Sequence, residues 1–369
     1  MKRVRVGETL LKRRDIGDVL EEISPPSADA FNHYCIDENT AGVLHHVATC
    51  VHHREPCLLE GETATSKTSI ILFLAQLLNQ PVKRINLNGQ TDTGEIIGRY
   101  VPDDDDAAQP GKWRWQHGDI VNAMNHGWWV ILDEVNLAEP QILERLNPLL
   151  EKHPSLTLSE YDNSEYSVFA SEKDKRNPIH PDFRIFATMN PAEYAGRTAL
   201  SPAYKDRWTG YRFVKPPEER DYLAMLNLWV HGTTPNVHVL GHDYTGTELQ
   251  PWLTSLGALQ GVDIDQFLTA IARLHYSVVK ASSSTGSTGL GRGRRERPVF
   301  TRRLLMALME YIDGSIDPGD EPERIIRVIR LGLRRYYLSR VTAESDRETV
   351  CNLLDGLGIG PNVWTLWTE

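Results

Sequence analysis

Cysteine is scarce in this 369-residue chain: four residues, Cys35, Cys50, Cys57 and Cys351, with no CxxC spacing. That argues against a disulfide framework or a zinc ribbon and leaves buried, reduced thiols as the expectation. Long apolar runs are also missing. Ser69–Leu78 and Trp128–Leu132 are short and bounded by polar residues, far from the ~20 apolar residues that span a bilayer. The basic opening MKRVRVGETLLKRRD lacks the apolar core and small-residue cleavage site of a signal peptide, so a soluble cytoplasmic protein with no membrane partner is expected. An excess of positive charge is absent as well. Forty Lys and Arg against fifty Asp and Glu give a net charge of −10, so the whole molecule does not attract nucleic acid by charge alone. His45–His46 and His52–His53 have no carboxylate or Cys cluster beside them in sequence and read as packed or solvated histidines, not metal ligands.

The length allows two to three domains, and 40% hydrophobic residues supply a core. Residues 1–40 are polar and mixed, broken by Pro25–Pro26, and read as an N-terminal extension. From about 41 to 215, short apolar runs alternate with amphipathic helical ones, the pattern of an α/β parallel sheet flanked by helices. The expected strands are Cys57–Glu60, Val82–Leu87, Trp128–Leu132, Phe183–Thr188 and Tyr211–Val214, with helices at Thr68–Leu78 and Gln141–Leu150. Two insertions interrupt the sheet, near 100–116 and 156–169, the second with hairpin alternation around Asp162–Asn163–Ser164. After Pro216–Pro217 the pattern turns helical, giving a second, smaller α-helical domain over 216–369. Its Ser/Gly-rich stretch 281–297 reads as a flexible linker.

Three segments carry chemistry. Gly61-Glu62-Thr63-Ala64-Thr65-Ser66-Lys67-Thr68 follows a short apolar strand and opens a helix. A phosphate chain needs converging backbone amides, a helix N-terminus, a lysine charge and a hydroxyl that can hold Mg²⁺, which this spacing supplies. Ala64 and Ser66 stand where phosphate loops commonly carry glycine. The second segment, Trp128–Glu134, is an apolar strand ending in Asp133 and Glu134. Asp133 can orient water on Mg²⁺ and Glu134 can polarise the water that attacks a γ-phosphate, whereas unpaired acids at a buried strand end are costly. The third, Phe183–Asn190, ends a further strand. In a parallel sheet such ends share one edge, where Asn190 can hold the attacking water, unless the Asn-Pro pair serves only as a turn. A transition-state cation is offered by Arg207, after a short helix begun by Ser201–Pro202, or by Arg303. An ordinary surface salt bridge is the alternative for each.

Taken together these segments resemble the dynein-related branch of AAA+ ATPases, which includes midasins and MoxR-like proteins. The resemblance is carried by TDTGEIIGRY at Thr91–Tyr100, then Gly118–Met124, ILDEVNLAEPQILERLNPLLE and ATMNPAEYAGRTALSPAYKDRW. It implies a P-loop NTPase domain followed by an AAA+ lid, with ATP and Mg²⁺ as cofactors. By resemblance Gly61, Lys67 and Thr68 match Walker A, Asp133 and Glu134 Walker B, and Asn190 sensor 1. Arg207 matches the finger given to a neighbouring subunit, and Arg303 in FTRRLL matches sensor 2, with Arg302 beside it. The insertions match the helix-2 insert and the pre-sensor hairpin.

The expected activity is ATP hydrolysis by a homo-oligomeric, hexameric ring that remodels or activates a separate client protein, one carrying a von Willebrand A domain being the family pattern. The chain lacks that domain, and Asp313-Gly-Ser315 follows a helix where a DxSxS loop follows a strand. The alternative is a nucleic-acid motor or the NTPase subunit of a defence complex, with Arg292, Arg294, Arg295 and Arg297 gripping phosphates.

Overall fold

The computed structural model describes residues 2–15, 23–103, 113–170, 176–191, 199–239, 242–244, 249–259, 263–283, 289–291 and 297–356. By its contacts the chain divides into two compact units, one of Met1–Phe31, Gly42–Glu62 and Ser66–Lys215, the other of Asn32–Ala41, Thr63–Thr65 and Pro216–Glu369.

In the first unit the elements run α1 (Glu38–His53, whose first turn clusters with the second unit), β1 (Cys57–Gly61), α2 (Lys67–Leu78), β2 (Val82–Asn86), α3 (Asp119–His126), β3 (Trp129–Asp133), α4 (Pro140–Leu146), β4 (Arg184–Met189), α5 (Pro202–Asp206) and β5 (Gly210–Val214). The five strands form one sheet in the order β5-β1-β4-β3-β2, with every pair parallel. This is the α/β parallel sheet that the alternating pattern predicts. β3 is buried at all five positions, because a strand with parallel neighbours and helix-covered faces has no solvent side, hence its unbroken Trp-Val-Ile-Leu run. Leu58, Val130, Leu132 and Ala187 sit in one core with Ile120 and Leu146.

The expected helix Gln141–Leu150 is shorter. α4 starts with Pro140 at its first turn and gives way to a 3₁₀ turn over Asn147–Leu150, because Pro148 cannot donate the next helical hydrogen bond. The first insertion is an antiparallel hairpin of Gly98–Pro102 with Trp113–His117, its centre lying outside the described residues. The second pairs Ser155–Thr157 with Glu165–Ser167. Tyr161 of the second stacks on Trp115 of the first, with centroids 4.9 Å apart. The N-terminal residues contribute a hairpin of Arg3–Val6 with Thr9–Lys12.

The second unit is helical: α6 (Glu219–His231), α7 (Ile264–Ser283), α8 (Arg302–Asp313), α9 (Pro322–Tyr336) and α10 (Glu344–Asp355). α6 opens with a reciprocal cap, Glu218 on the third-residue amide and Asp221 on the Glu218 amide, and ends at Gly232 with φ 70°. Leu226, Leu268, Ile271, Leu305, Ile325 and Val350 meet in its core. Within the expected linker 281–297, Ala281–Ser283 continue α7, Leu290 is buried, and the Gly291 amide donates to Asp346 at 3.0 Å. Residues 284–288 and 292–296, and with them Arg292, Arg294 and Arg295, lie outside the described residues; Arg297 donates to the Ser282 carbonyl at 3.3 Å. Asp313 accepts the Leu256 amide at 2.8 Å, a structural use for the carboxylate of the DxS triplet.

Candidate functional site

The strand registers bring the ends of β1, β3 and β4 together on one edge of the sheet. Met189 lies opposite Glu60 and Ala187 opposite Leu132. Gly61, Asp133 and Asn190 therefore emerge side by side, at the edge where parallel α/β sheets place their ligands.

Beyond Gly61 the loop turns through two non-glycine residues in left-handed conformation, Ala64 with φ 62° and Ser66 with φ 64° and ψ 18°. Left-handed residues set among right-handed ones turn successive amides into a concave, anion-binding nest. Ser66 is also the N-cap of the twelve-residue α2, and its side chain caps nothing there. The first-turn amides of α2 follow directly, with the positive end of the helix dipole. These positions match the donor set that a polyphosphate requires, so the loop fits a nucleotide despite lacking its second glycine.

Lys67 is 8% exposed, and its ammonium donates to the carbonyls of Gly61 (2.8 Å) and Glu62 (2.7 Å) and to Asn190 Oδ1 (2.9 Å). Asn190 Nδ2 in turn donates to Glu134 Oε1 at 2.7 Å. Only one orientation of the Asn190 amide satisfies both bonds, since lysine cannot accept and a carboxylate cannot donate. Asn190 thereby bridges the lysine and the glutamate. Glu134 itself is left-handed, with φ 58°, which turns its side chain off the strand at a cost of about 1–2 kcal/mol.

Asp133 is 6% exposed. Its Oδ1 accepts the Thr68 hydroxyl at 3.2 Å and the Thr188 hydroxyl, while its Oδ2 accepts two N–H groups of Arg84, Nε at 2.8 Å. A threonine hydroxyl at a helix start facing a carboxylate is a hard oxygen pair suited to a hydrated Mg²⁺. Arg84, Thr188 and Asn136 are the participants that sequence reading missed. Asn136 Nδ2 donates to the Asn190 carbonyl at 2.9 Å and holds the end of β4. The strand alternation of VKRIN was a signal for Arg84, but its partner depends on β2 lying beside β3.

Arg207 stands apart from this network in its contacts. It follows α5, which is capped by Ser201 on the Tyr204 amide and opened by Pro202. Its Nε lies 3.2 Å from Glu151 Oε1, and another guanidinium N–H donates to the Ala203 carbonyl at 3.0 Å. Two residues back, Lys205 reaches Glu60 at 2.5 Å and fastens α5 to the strand that leads into the phosphate loop. Arg303 belongs to the second unit and is exposed in the first turn of α8. Its neighbour Arg302 pairs with buried Asp37 at 3.0 Å.

No described helix is long and apolar enough to cross a membrane. Residues 56–208 match the model of the AAA domain (dynein-related subfamily). The chain is 36% identical over 189 residues to the midasin of Dictyostelium discoideum, which is 51% of this chain and 3% of that protein. It is 36% identical over 195 residues to the midasin of Giardia intestinalis, 53% of this chain and 4% of that one. To the denitrification regulatory protein NirQ of Stutzerimonas stutzeri it is 26% identical over 175 residues, 47% of this chain and 57% of NirQ. The matches thus cover about half of this chain, a small part of each midasin and little over half of NirQ. The Lys67–Asn190–Glu134 bridge and the Thr68–Asp133 pair thus lie within residues 56–208, the segment that matches the AAA domain (dynein-related subfamily) and lies in the half of the chain similar to midasin and NirQ.

Proposed function

We propose that the chain is an ATP-hydrolysing AAA+ ring ATPase that remodels or activates a partner protein. The observation that carries this reading is the Asn190 amide held between Lys67 and Glu134, beside an Asp133 that faces the Thr68 hydroxyl. The amides of Glu62–Thr68 cradle the phosphates, and Lys67 places its charge against them. Thr68 and Asp133 would hold Mg²⁺, which when bound would supply positive charge against the phosphates. Glu134 takes the proton of the attacking water, and Asn190 fixes the carboxylate in place for that task. Arg207 supplies a transition-state cation to the neighbouring subunit of a homo-oligomeric, hexameric ring, and Arg303 acts from the lid.

The client is a separate polypeptide, one with a von Willebrand A domain being the leading class. Similarity to midasins and to a protein named as a regulator supports a remodelling or regulatory role. The nucleic-acid reading gains no specific support, since three of its four arginines lie outside the described residues.

The test separates binding from turnover. Lys67→Ala should lose Mg·ATP binding. Glu134→Gln should bind as the unaltered chain does and hydrolyse about 10²–10⁴-fold more slowly, because only the proton acceptor is gone. Turnover at the unaltered rate in Glu134→Gln sinks the assignment.

A further inference from the structure

The opposite edge of the same sheet carries a second cluster that the nucleotide chemistry does not use. On α1, His46 and Cys50 are four residues apart and so share one face of the helix. Cys57 is the first residue of β1, and Gly210, the first of β5, is its partner in the parallel register. The ligand atoms of His46, Cys50 and Cys57 all lie within 4.8 Å of one another. His46 Nε2 is 3.7 Å from Cys50 Sγ and 3.0 Å from the Gly210 carbonyl oxygen. Both thiols are buried, Cys50 at 1% exposure and Cys57 at 0%, and the imidazole is half-buried.

We propose that His46, Cys50 and Cys57 form a structural site for a thiophilic d¹⁰ cation, Zn²⁺ foremost, with the Gly210 carbonyl placed to complete four-coordination.

Geometry supports it first. Tetrahedral Zn²⁺ with Zn–N of about 2.0–2.1 Å and Zn–S of about 2.3 Å sets its nitrogen and sulfur ligands about 3.5 Å apart, and nitrogen and oxygen about 3.3 Å apart. The observed 3.7 Å and 3.0 Å differ from these by a few tenths of an ångström, within the reach of small side-chain rotations. Charge supports it next. Two thiolates, a neutral imidazole and a divalent cation sum to zero, so the assembly leaves no net charge in a buried place, where an uncompensated one is costly. Ligand softness points the same way, since thiolate and imidazole donors select zinc or cuprous ions over magnesium or calcium.

Gly210 adds a local observation. A Cβ there would lie 2.5 Å from Cys50 Sγ, so a residue without a side chain is what lets the thiol approach the β5 backbone. A cation held by these groups would tie α1, β1 and β5 together within one unit, and its role is to stabilise, not to catalyse. The inference stands independently of the nucleotide reading.

The experiment uses the full chain, stripped with a chelator and titrated with Co²⁺ as a spectroscopic stand-in, then with Zn²⁺. The expected result is one equivalent of Co²⁺ giving intense visible d–d bands and near-ultraviolet thiolate charge transfer. One equivalent of Zn²⁺ should then erase both, with a rise in thermal midpoint. Cys50→Ser should abolish the charge-transfer band. His46→Gln, at a half-buried position, should weaken Zn²⁺ binding about ten-fold or more. The site is overturned if the unaltered chain gives only weak, octahedral-type Co²⁺ absorption. It is equally overturned if Cys50→Ser keeps the full spectrum, or if guanidinium-unfolded chain binds Zn²⁺ as tightly as folded chain. Circular dichroism of each variant separates lost ligands from lost fold, and His46→Gln decides the matter should Cys50→Ser fail to fold.

Discussion

If Asp133 holds Mg²⁺ as proposed, Arg84 competes with the cation for the same carboxylate. Arg84 lies on edge strand β2, two residues before Asn86, which pairs with Asp133 in the register. Its guanidinium places Nε 2.8 Å from Asp133 Oδ2, with a second N–H on the same oxygen, while Oδ1 serves the hydroxyls of Thr68 and Thr188. Both oxygens are therefore engaged. Charge-assisted hydrogen bonds of this kind are worth about 1.5–3 kcal/mol when shielded. The Arg84 side chain is 54% exposed, so solvent screening reduces that to about 1 kcal/mol. Mg²⁺ organised by Asp133 must displace this interaction or share its charge, and repulsion between the two cations adds in the same direction. Arg84→Met keeps much of the apolar stem and removes the charge. Half-saturating Mg²⁺ for phosphate release should fall about five-fold, the factor that corresponds to about 1 kcal/mol. Arg84→Lys keeps a charge but loses the two-pronged geometry, and should fall between. The variant should fold, because Asp133 retains both hydroxyl partners. The assay is steady-state phosphate release against free Mg²⁺ at saturating ATP, in parallel with binding of a fluorescent ATP analogue. An unchanged or higher Mg²⁺ requirement in Arg84→Met refutes the competition and makes Arg84 a support for Asp133 instead.

Two further outcomes are expected. Arg207→Ala should bind ATP nearly normally and hydrolyse it about 10³-fold more slowly, and mixing it with Lys67→Ala should restore part of the activity. Co-assembly confirmed by mass with no recovery, together with Arg207→Ala alone near the unaltered rate, would make Arg207 merely structural. In the second unit, burial holds the His275 imidazole down to about 3 from an ordinary 6.5, beside Tyr337 Oη at 2.6 Å. A depressed histidine contributes stability that is full above about pH 6.5 and lost as pH falls toward about 3, by about 1.4 kcal/mol per pH unit. The urea midpoint should therefore drop less between about pH 6.5 and 5 in His275→Phe than in the unaltered chain, and equal slopes in the two would refute this.

The sheet was legible in the sequence because its strands are short apolar runs closed by polar residues. Cys57–Glu60 was expected where Cys57–Gly61 forms, and Trp128–Leu132 where Trp129–Asp133 forms. What the sequence could not give is anything that depends on which strands become neighbours. Arg84 meets Asp133 only because β2 lies beside β3, and Cys57 meets His46 and Cys50 only because β1 lies under the end of α1 and next to β5. His45–His46 and His52–His53 read as packed or solvated histidines because no Cys cluster stands beside them in sequence; Cys50 and Cys57, four and eleven residues from His46, come beside it only in space.

The two departures from the usual phosphate loop, Ala64 and Ser66, acquire a physical meaning from the backbone. Six non-glycine residues among those described have positive φ: Arg54, Ala64, Ser66, Asn79, Asn163 and Glu134. Asn79 caps α2 and Asn163 sits in a hairpin turn, and asparagine tolerates this region. Arg54 directly follows α1 and bears the cost of a left-handed helix end there. Ala64, Ser66 and Glu134 are not asparagine and end no long helix, and each carries about 1–2 kcal/mol of strain. All three belong to the segments that follow β1 and β3 at one edge of the sheet. Strain of that kind persists only where the surroundings over-determine it, and here the Lys67–Asn190–Glu134 bridge and the anchoring of Asn190 by Asn136 supply the constraint. A chain that keeps alanine and serine in left-handed loop positions, where glycine would relieve the strain, holds its phosphate loop in shape through the network around it instead of through glycine's freedom.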